Sequence, residues 1–491
     1  MTSTVVVIDG TSLNCAALSA VARRQAGVAV GERAVAAARA AWQVGREVAA
    51  RQPVYGRTTG VGANHVVELS ERDRAGHGLR LLRSHAAGTG PLVAPEVARA
   101  MLVVRLNQLG AGGSGVDPAL LPVLADAINR GFTPPVPLYG AIGTGDLTAL
   151  ASTGLCLFGE RAWQGGTGPP PQFPIAASEA LGFINSSAGT LGDAALACHD
   201  LAALLRCAAP VAGLSLLAVH GSAEPYAEAV HLARPHPGQQ RVAASMRALL
   251  AAEAMTAARV QDPYGFRAFP QVHGPALDCL ERATVILEAE LNGRAENPLI
   301  DVTGRAVWHN GNFHAAYVGL ALDAVRAALF QTAALAVARL GTLMEPSFTG
   351  LGAFLAADAA SSGVMILEYV GHSAVADIRR FAAPAALGGA VLSRGAEEHA
   401  GFSTQSARAT TDAVTAYRAV LACELIAAVR ALRLQGRAPA GGGLRAAFGL
   451  ADAALERTAA DRPLDSDLSR ADGVLEGIAA AAPWPPANRV S

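Results

Sequence analysis

Four loop segments carry polar side chains that differ from the apolar sequence around them. The first runs from Tyr55 to Gly62 and reads Tyr-Gly-Arg-Thr-Thr-Gly-Val-Gly. Its three glycines allow tight backbone bends, so the loop can present the phenol of Tyr55 on a mobile lid as a general base or acid. A purely structural role is the alternative, because glycine-rich loops with one tyrosine are common.

The second segment, residues 136–147, reads Val-Pro-Leu-Tyr-Gly-Ala-Ile-Gly-Thr-Gly-Asp-Leu. Its Gly143-Thr144-Gly145 turn precedes a predicted helix. Asp146 follows at the N-cap position, where a side chain accepts amide hydrogens from the first helical turn. A capped helix explains Asp146, but it does not explain so much glycine in so apolar a region.

The third and fourth segments offer groups that suit a small polar ligand. Gln261, Tyr264 and Arg267 follow one another at short intervals, and a guanidinium binds a carboxylate through two parallel hydrogen bonds. Asn312 and Phe313 lie in the sequence Gly-Asn-Phe-His, downstream of an Asn-Pro-Leu segment at residues 297–299. Amides in helical proteins often only cap helices, so neither segment is decisive alone.

The composition excludes several classes of chemistry and of partner. All 39 basic residues are arginines, so the chain cannot form a lysine Schiff base, a pyridoxal-phosphate aldimine or a Walker-type nucleotide loop. With 40 acidic residues against them, the net charge disfavours nucleic acid and anionic membranes as partners. The six cysteines show no metal-ligand or redox spacing, which predicts no metal site and a cytoplasmic location.

The sequence between these segments predicts a mainly α-helical protein. A strand is predicted at residues 5–8 and a helix at residues 32–51, which Pro53 ends. Long Ala/Leu-rich helices are predicted at residues 193–217, 276–291, 313–343 and 405–434, and an antiparallel bundle is the simplest way to bury them. Charged residues within the apolar stretches disfavour a membrane span. Two domains follow: residues 1–190, with the Tyr55 loop and the Gly-Thr-Gly loop, and residues 191–491, with the helix bundle and a C-terminal helical segment.

Taken together, the motifs resemble the aromatic amino-acid ammonia-lyase and aminomutase family, which contains the histidine, phenylalanine and tyrosine ammonia-lyases. The matching segments occur in order along almost the whole chain: residues 55–62, 84–87, 105–107, 136–147, 183–185, 236–239, 261–267, 270–274, 297–299, 311–314 and 397–399. The resemblance implies a mostly helical homotetramer whose active sites each take loops from several subunits. It also implies an amino-acid-like substrate and an electrophile, methylidene-imidazolone (MIO), built from an Ala-Ser-Gly tripeptide.

The resemblance also implies roles for individual residues. Tyr55 would be the base that removes a β-proton, and Arg267 would bind the substrate carboxylate with Asn185 nearby. The remaining positions would line the site or contact the substrate side chain: Tyr264, Gln261 and Asn312 for the first role, and His85 and Phe313 for the second.

One departure from the family bears on the electrophile. Family members read Gly-Ser-Val-Gly-Ala-Ser-Gly-Asp-Leu, whereas residues 140–147 read Gly-Ala-Ile-Gly-Thr-Gly-Asp-Leu, one residue shorter and without the serine. Dehydration of Thr144 would leave an extra methyl group on the alkene carbon, and the deletion should alter the strained approach needed for ring closure. We therefore expect no cofactor and no normal MIO group from Gly143-Thr144-Gly145.

The sequence leaves three functions open. The first is an MIO-independent lyase-family enzyme of specialised metabolism that performs Tyr55-dependent elimination, addition or cyclisation on a small α-amino acid or related carboxylate. The second is a conventional ammonia-lyase or aminomutase with a prosthetic group derived from Thr144. The third is a non-catalytic scaffold.

Overall fold

The structure, a computed structural model, describes residues 4–485 and is mainly helical, as predicted. The helices are α1 (Cys15–Ala22), α2 (Glu32–Ala49), α3 (Glu71–His85), α4 (Pro95–Gly110), α5 (Leu120–Arg130), α6 (Leu147–Leu157), α7 (Ala180–Ile184), α8 (Ala188–Ala218), α9 (Glu228–Leu232), α10 (Pro237–Leu250), α11 (Tyr264–Arg267), α12 (Phe269–Leu291), α13 (Ala316–Met344), α14 (Pro346–Thr349), α15 (Ile366–Phe381), α16 (Ser403–Leu434), α17 (Gly442–Ala454), α18 (Asp465–Asp472) and α19 (Leu475–Ala481). Short 3-10 helices lie at Gly62–Val66, Glu224–Tyr226, Ala353–Leu355 and Ser393–Gly395.

The described strands form only two-stranded sheets. They are β1 (Thr4–Ile8), β2 (Ala26–Val30), β3 (Thr89–Leu92), β4 (Phe132–Thr133), β5 (Pro137–Tyr139), β6 (Gln164–Gly165), β7 (Leu299–Asp301) and β8 (Ala306–Trp308). The predicted strand is confirmed as β1, which pairs in parallel with β2 so that Thr4 faces Ala26 and Ile8 faces Val30. The pairs β3 with β5, β4 with β6 and β7 with β8 are antiparallel.

The chain divides into two compact units, each discontinuous in sequence. The first comprises residues 1–199, 283–322 and 384–408, and the second comprises residues 200–282, 323–383 and 409–491. The predicted domains at residues 1–190 and 191–491 are continuous stretches, and that boundary stays a prediction.

The long apolar helices are confirmed as α8, α12, α13 and α16, and α12 begins earlier than predicted. The prediction started this helix after Pro275, since proline removes a helical hydrogen bond, but the helix continues through Pro275 from Phe269. Two stretches, Ala180–Ala218 and Ala316–Met344, are long and apolar enough to cross a membrane by length and composition. The first is largely buried inside the protein and the second about half buried, and core helices of soluble proteins pass the same test.

In the second unit, buried polar contacts join the four long helices. Arg339 of α13 forms a fully buried ion pair with Glu424 of α16, with Nε–Oε1 and Nη2–Oε2 distances of 2.6 and 2.7 Å. Ser215 of α8 donates to the same carboxylate at 2.8 Å. His273 of α12 lies 2.7 Å from the hydroxyl of Thr332 in α13. These contacts fix the bundle geometry, because a buried charge without its partner is strongly destabilising.

Candidate active site

The Tyr55 loop in the first unit is a tight turn that returns on itself. The phenol oxygen of Tyr55 accepts a hydrogen bond from the amide of Gly62 at 2.7 Å, and Gly62 has a φ of +56°. Gly56 has a φ of +66°, and a Cβ atom added there would meet Leu181 Cδ2 at 2.0 Å. The glycines therefore let the loop close around the tyrosine ring.

The environment of Tyr55 sets the protonation of its phenol. Burial raises the pKa of Tyr55, the amide of Gly62 lowers it, and the carboxylate of Glu397 raises it, with a net upward direction. The phenol is therefore protonated at neutral pH, and the Gly62 amide is already placed to stabilise the phenolate when it forms. The Tyr55 amide also donates to Nε2 of His309 at 3.3 Å.

The Gly-Thr-Gly loop packs against the start of α16. The amide of Phe402 donates to the carbonyl of Ile142 at 2.8 Å, and the amide of Ala315 donates to the carbonyl of Gly143 at 3.2 Å. Gly143 has a φ of +89°, and a Cβ atom there would meet the backbone nitrogen of Ser403 at 2.6 Å. Glycine is therefore required at a position where the family pattern has alanine.

Asp146 precedes α6 as predicted, but it does not cap that helix with its side chain. Its carboxylate turns instead to the first turn of α8, where it accepts from the amide and the hydroxyl of Thr190 at 2.7 and 2.9 Å. The predicted capping bond to α6 is wrong because these two donors at α8 take the carboxylate. Burial raises the pKa of Asp146, although the hydrogen bonds from Thr190 oppose that rise.

Five predicted site residues line one cavity of about 760 Å³ in the first unit: Tyr55, His85, Thr144, Asn185 and Phe313. The Asn185 side-chain amide donates to the carbonyl of Asn297 at 2.7 Å, which joins the end of α7 to the loop before β7. The cavity therefore brings the predicted base and the Gly-Thr-Gly loop to one space.

A fully buried ion pair supports this wall of the cavity. Arg105 of α4 lies 3.0 Å from Glu296, and its Nε donates to the carbonyl of Phe183 at 2.9 Å. Glu296 and Phe183 lie next to Asn297 and close to Asn185 in sequence, so the pair positions both loops.

Four predicted site residues lie elsewhere. Gln261, Tyr264 and Arg267 belong to the second unit, where the Arg267 guanidinium carbon lies 4.4 Å from the centre of the Tyr264 ring. The Tyr264 side chain is 68% exposed, and among the described residues no partner accepts from the buried Nε of Arg267. Asn312 is exposed in the first unit, and its amide donates to Asn310 Oδ1 at 2.8 Å.

The cavity also has polar lining residues to which the sequence analysis assigned no role: Asn64, His65, His309, Ser393 and Glu397. Glu397 belongs to a segment that matched the family, so its motif was the available signal. His309 directly precedes the Asn-Gly-Asn-Phe segment and could have been found by its position. Ser393 carried no signal, and its hydroxyl accepts from the amide of Ala63 at 2.9 Å. Among residues 4–485, no cluster of three or more His, Cys, Asp or Glu side chains is arranged to bind a metal ion.

Comparison with known protein families decides the kind of enzyme. A family model described as aromatic amino acid lyase matches residues 13–453. The chain belongs to the aromatic amino acid lyase family. The match covers most of the sequence, so the chain is a lyase, and the scaffold alternative is set aside.

Relatives of this aromatic amino acid lyase match it over at least 96% of its length. It is 36% identical over 493 residues to histidine ammonia-lyase from Streptomyces coelicolor, and the match covers 96% of each chain. The crystal structure of tyrosine aminomutase from Streptomyces globisporus has a TM-score of 0.90 at 28% identity, covering 96% of this chain and 97% of the other. Histidine ammonia-lyase from Trypanosoma cruzi has a TM-score of 0.89 at 27% identity, covering 98% and 96%.

These relatives overturn the expectation of no cofactor. They are ammonia-lyases and an aminomutase, the enzymes that build MIO from their own backbone, and they match this chain over its length. An MIO-type group is therefore expected here, and the expectation of an MIO-independent enzyme is wrong. The shortened loop had suggested otherwise because it lacks the serine from which the family makes the group.

Residues 143–145 carry the groups from which such a ring is made. Ring closure joins the amide nitrogen of the third residue to the carbonyl carbon of the first, while the middle residue loses its hydroxyl. Gly145 has a φ of +103°, and within residues 4–485 its amide donates no hydrogen bond that ring closure would have to break. Thr144 carries the hydroxyl and lines the same cavity as Tyr55. Gly143, Thr144 and Gly145 would therefore carry the group.

Proposed function

We propose that this lyase eliminates ammonia from a small α-amino acid and that Tyr55 removes the β-proton. The observation that carries the proposal is that Tyr55 and Thr144 line one cavity together with Asn185. The Thr144-derived group would supply the electrophile that makes the amino group a better leaving group. Proton removal and binding of the substrate carboxylate are assigned to side chains of this protein.

The proton transfer balances as a simple elimination. The β-proton passes to the Tyr55 oxygen, the C–H electron pair forms the new carbon-carbon double bond, and the C–N pair leaves with the amine. Tyr55 must be a phenolate to begin this step. The hydrogen bond of 2.7 Å from the Gly62 amide favours the phenolate, whereas burial and Glu397 oppose it.

A substrate with a polar ring suits the cavity best. The imidazoles of His65, His85 and His309 and the carboxylate of Glu397 line it, and these groups can form hydrogen bonds with a polar ring. A plain phenyl ring forms none of these bonds. We therefore propose histidine as the first substrate to test, in keeping with the relatives named histidine ammonia-lyase. An amino shift is the second candidate reaction, favoured by the similarity to tyrosine aminomutase.

A second copy of the chain is proposed to complete the site, within a cytoplasmic homotetramer. The carboxylate-binding role proposed for Arg267 requires a surface open to another molecule. Val260 and Tyr264 support this role, because they are 94% and 68% exposed. Val260 directly precedes Gln261, and Tyr264 lies between Gln261 and Arg267. In the first unit, Tyr317 at the start of α13 is also exposed, at 73%. Such surfaces are typical of subunit interfaces. Asn312, which is also exposed, is proposed to join the site in the same way.

The test is the rate of ammonia release from histidine, tyrosine and phenylalanine by the wild type and by Tyr55→Phe. We expect histidine to react fastest and the variant to lose about 10²- to 10⁴-fold in kcat, the usual contribution of a positioned acid or base. Tyr369→Phe is the matched control, because Tyr369 is 66% exposed on α15 and lies outside the cavity. Its rate should equal that of the wild type.

One outcome would count against the role of Tyr55, and product analysis tests which reaction occurs. If Tyr55→Phe turned over its substrate as fast as Tyr369→Phe, Tyr55 would not be the base. Analysis of the products separates the two reactions, since an amino shift yields a β-amino acid and an elimination yields an unsaturated acid.

A further inference from the structure

A second cavity, far along the sequence from the catalytic loops, lies within the second unit between the C-terminal part of α16 and the loop from Leu455 to Leu464. Its volume is about 150 Å³. Four arginines and two carboxylates are among its lining residues: Arg430, Arg433, Arg457, Arg462, Glu456 and Asp467. We call it the arginine cavity. None of the proposed chemistry uses it.

Arg430 is a buried cation without a carboxylate in contact. Arg430 is only 8% exposed. Its Nε and Nη2 donate to the backbone carbonyls of Leu355 and Ala459 at 2.8 and 2.6 Å. Within residues 4–485, its Nη1 donates no hydrogen bond. Burial lowers the pKa of Arg430 and the Arg462 guanidinium lowers it further, while Asp461 and Asp467 raise it. Both guanidinium-bearing residues line this cavity.

The nearby carboxylates are committed to other donors. Asp461 accepts from the amides of Ser362 and Gly363 at 2.7 and 2.9 Å. Asp467 forms an ion pair with Arg462, whose Nε is buried and has no hydrogen-bond partner among the described residues.

Two further carboxylates lie near these arginines, and one of them, Glu456, lines the cavity. Asp452 pairs with Arg433 at 2.7 Å and with Arg457 at 2.5 Å. Glu456 lines the cavity and would repel an anion, but its Oε1 already accepts from the Arg457 amide at 2.9 Å. Buried cations normally have a counter-charge within hydrogen-bonding distance. Among the described residues, Arg430 contacts no carboxylate, and Arg462 has its ion pair with Asp467 but leaves its buried Nε without a partner.

We propose that the arginine cavity binds a small oxyanion, of the size of phosphate or a short carboxylate, between Arg430 and Arg462, with Arg457 of the same lining as a third donor. The arginine cavity is large enough for such an anion, because an apolar cavity of about 150 Å³ is known to admit a ligand as large as benzene. Planar guanidiniums match the oxygen spacing of both kinds of anion. Binding would join α16 to the Leu455–Leu464 loop and so stabilise the second unit.

The experiment measures thermal unfolding of the full chain in sodium phosphate, sulfate or acetate against sodium chloride at equal ionic strength, with calorimetric titration of the most effective anion. We expect a saturable rise in Tm with at least one oxyanion at millimolar concentration and none with chloride. Phosphate and sulfate acting alone would identify a tetrahedral ligand, and acetate acting alone would identify a carboxylate.

Two variants keep the proposal open to refutation. Arg430→Met should abolish the rise, but it also removes bonds to two carbonyls and could unfold the protein. Arg457→Gln avoids that problem, because the Arg457 side chain is 73% exposed. It should weaken binding about tenfold, the loss expected for one charged hydrogen bond. Arg380→Met, at an arginine side chain that is 71% exposed on α15, is the control and should bind as the wild type does. If no oxyanion raises Tm above chloride, or if Arg457→Gln binds as tightly as Arg380→Met, the proposal is overturned.

Discussion

Replacement of Gly143 by alanine tests whether the Gly-Thr-Gly loop has the geometry described here. The change restores the residue type found in the family pattern, so sequence similarity alone predicts that it is harmless. The structure predicts the opposite, because Gly143 has a φ of +89° and a Cβ atom there would meet backbone nitrogens of Ser403 and Phe402 at 2.6 and 2.9 Å. Neither nitrogen can move easily, since Ser403 begins α16 and the Phe402 amide donates to the Ile142 carbonyl at 2.8 Å.

Two contributions set the size of the effect. A left-handed conformation disfavours alanine by about 1–2 kcal/mol, and overpacking against backbone adds about 1–3 kcal/mol. We therefore expect Gly143→Ala to lower the free energy of unfolding by about 2–5 kcal/mol in urea titrations followed by circular dichroism. Gly389→Ala is the matched control in the same unit, because a Cβ atom at Gly389 would meet nothing within 4 Å and its φ is not positive. If Gly143→Ala were as stable as Gly389→Ala, the description of the loop would be incorrect.

Four further predictions follow from individual contacts. The fully buried His273 has its pKa lowered from 6.5 to about 4 by burial, so the unfolded chain binds more protons than the folded chain as the pH falls from 6.5 to 4. Acid unfolding should therefore show stability falling over that window by up to about 3 kcal/mol, and His273→Gln should remove this part of the pH dependence. Arg339→Met should destabilise the protein by about 3–5 kcal/mol in urea, since it leaves Glu424 buried without a cation, and an unchanged midpoint would contradict the assigned bond. Glu397→Gln removes a charge that raises the pKa of Tyr55, so the limb on which kcat rises with pH should move to lower pH, and an unmoved limb would exclude that electrostatic coupling. Tyr55→Phe and Arg267→Ala, each inactive alone, should regain activity when co-expressed if another copy supplies Arg267, and should stay inactive if one chain supplies both residues.

The helices could be predicted from sequence because their apolar spacing reflects burial directly. The strand at β1 was equally clear, since a run of valines followed by Asp-Gly is typical of a strand end. The start of α12 was missed because a local rule, that proline ends a helix, does not register packing that carries the helix through Pro275. Tertiary contacts override such rules when enough apolar surface is buried.

The candidate site could be predicted only in part. Tyr55, Asn185 and Thr144 were found through motifs, and the cavity brings them together. The direction of Asp146 was missed, because its donors on Thr190 come from another helix and leave no mark on the sequence near residue 146. Ser393 and His309 are separated from Tyr55 by more than two hundred residues of chain, so only a folded structure reveals that they share its cavity. The shortened loop led to a wrong expectation about the prosthetic group, since one tripeptide was given more weight than the similarity of the whole chain to ammonia-lyases.

Intact-mass spectrometry of the purified protein tests the central claim most directly. If Gly143, Thr144 and Gly145 cyclise and dehydrate, the chain loses two waters, and its mass lies about 36 Da below the value calculated from the sequence. Thr144→Ala, which has no hydroxyl to eliminate, should not show this full loss. An unmodified wild-type mass in protein that releases ammonia from histidine would contradict the account.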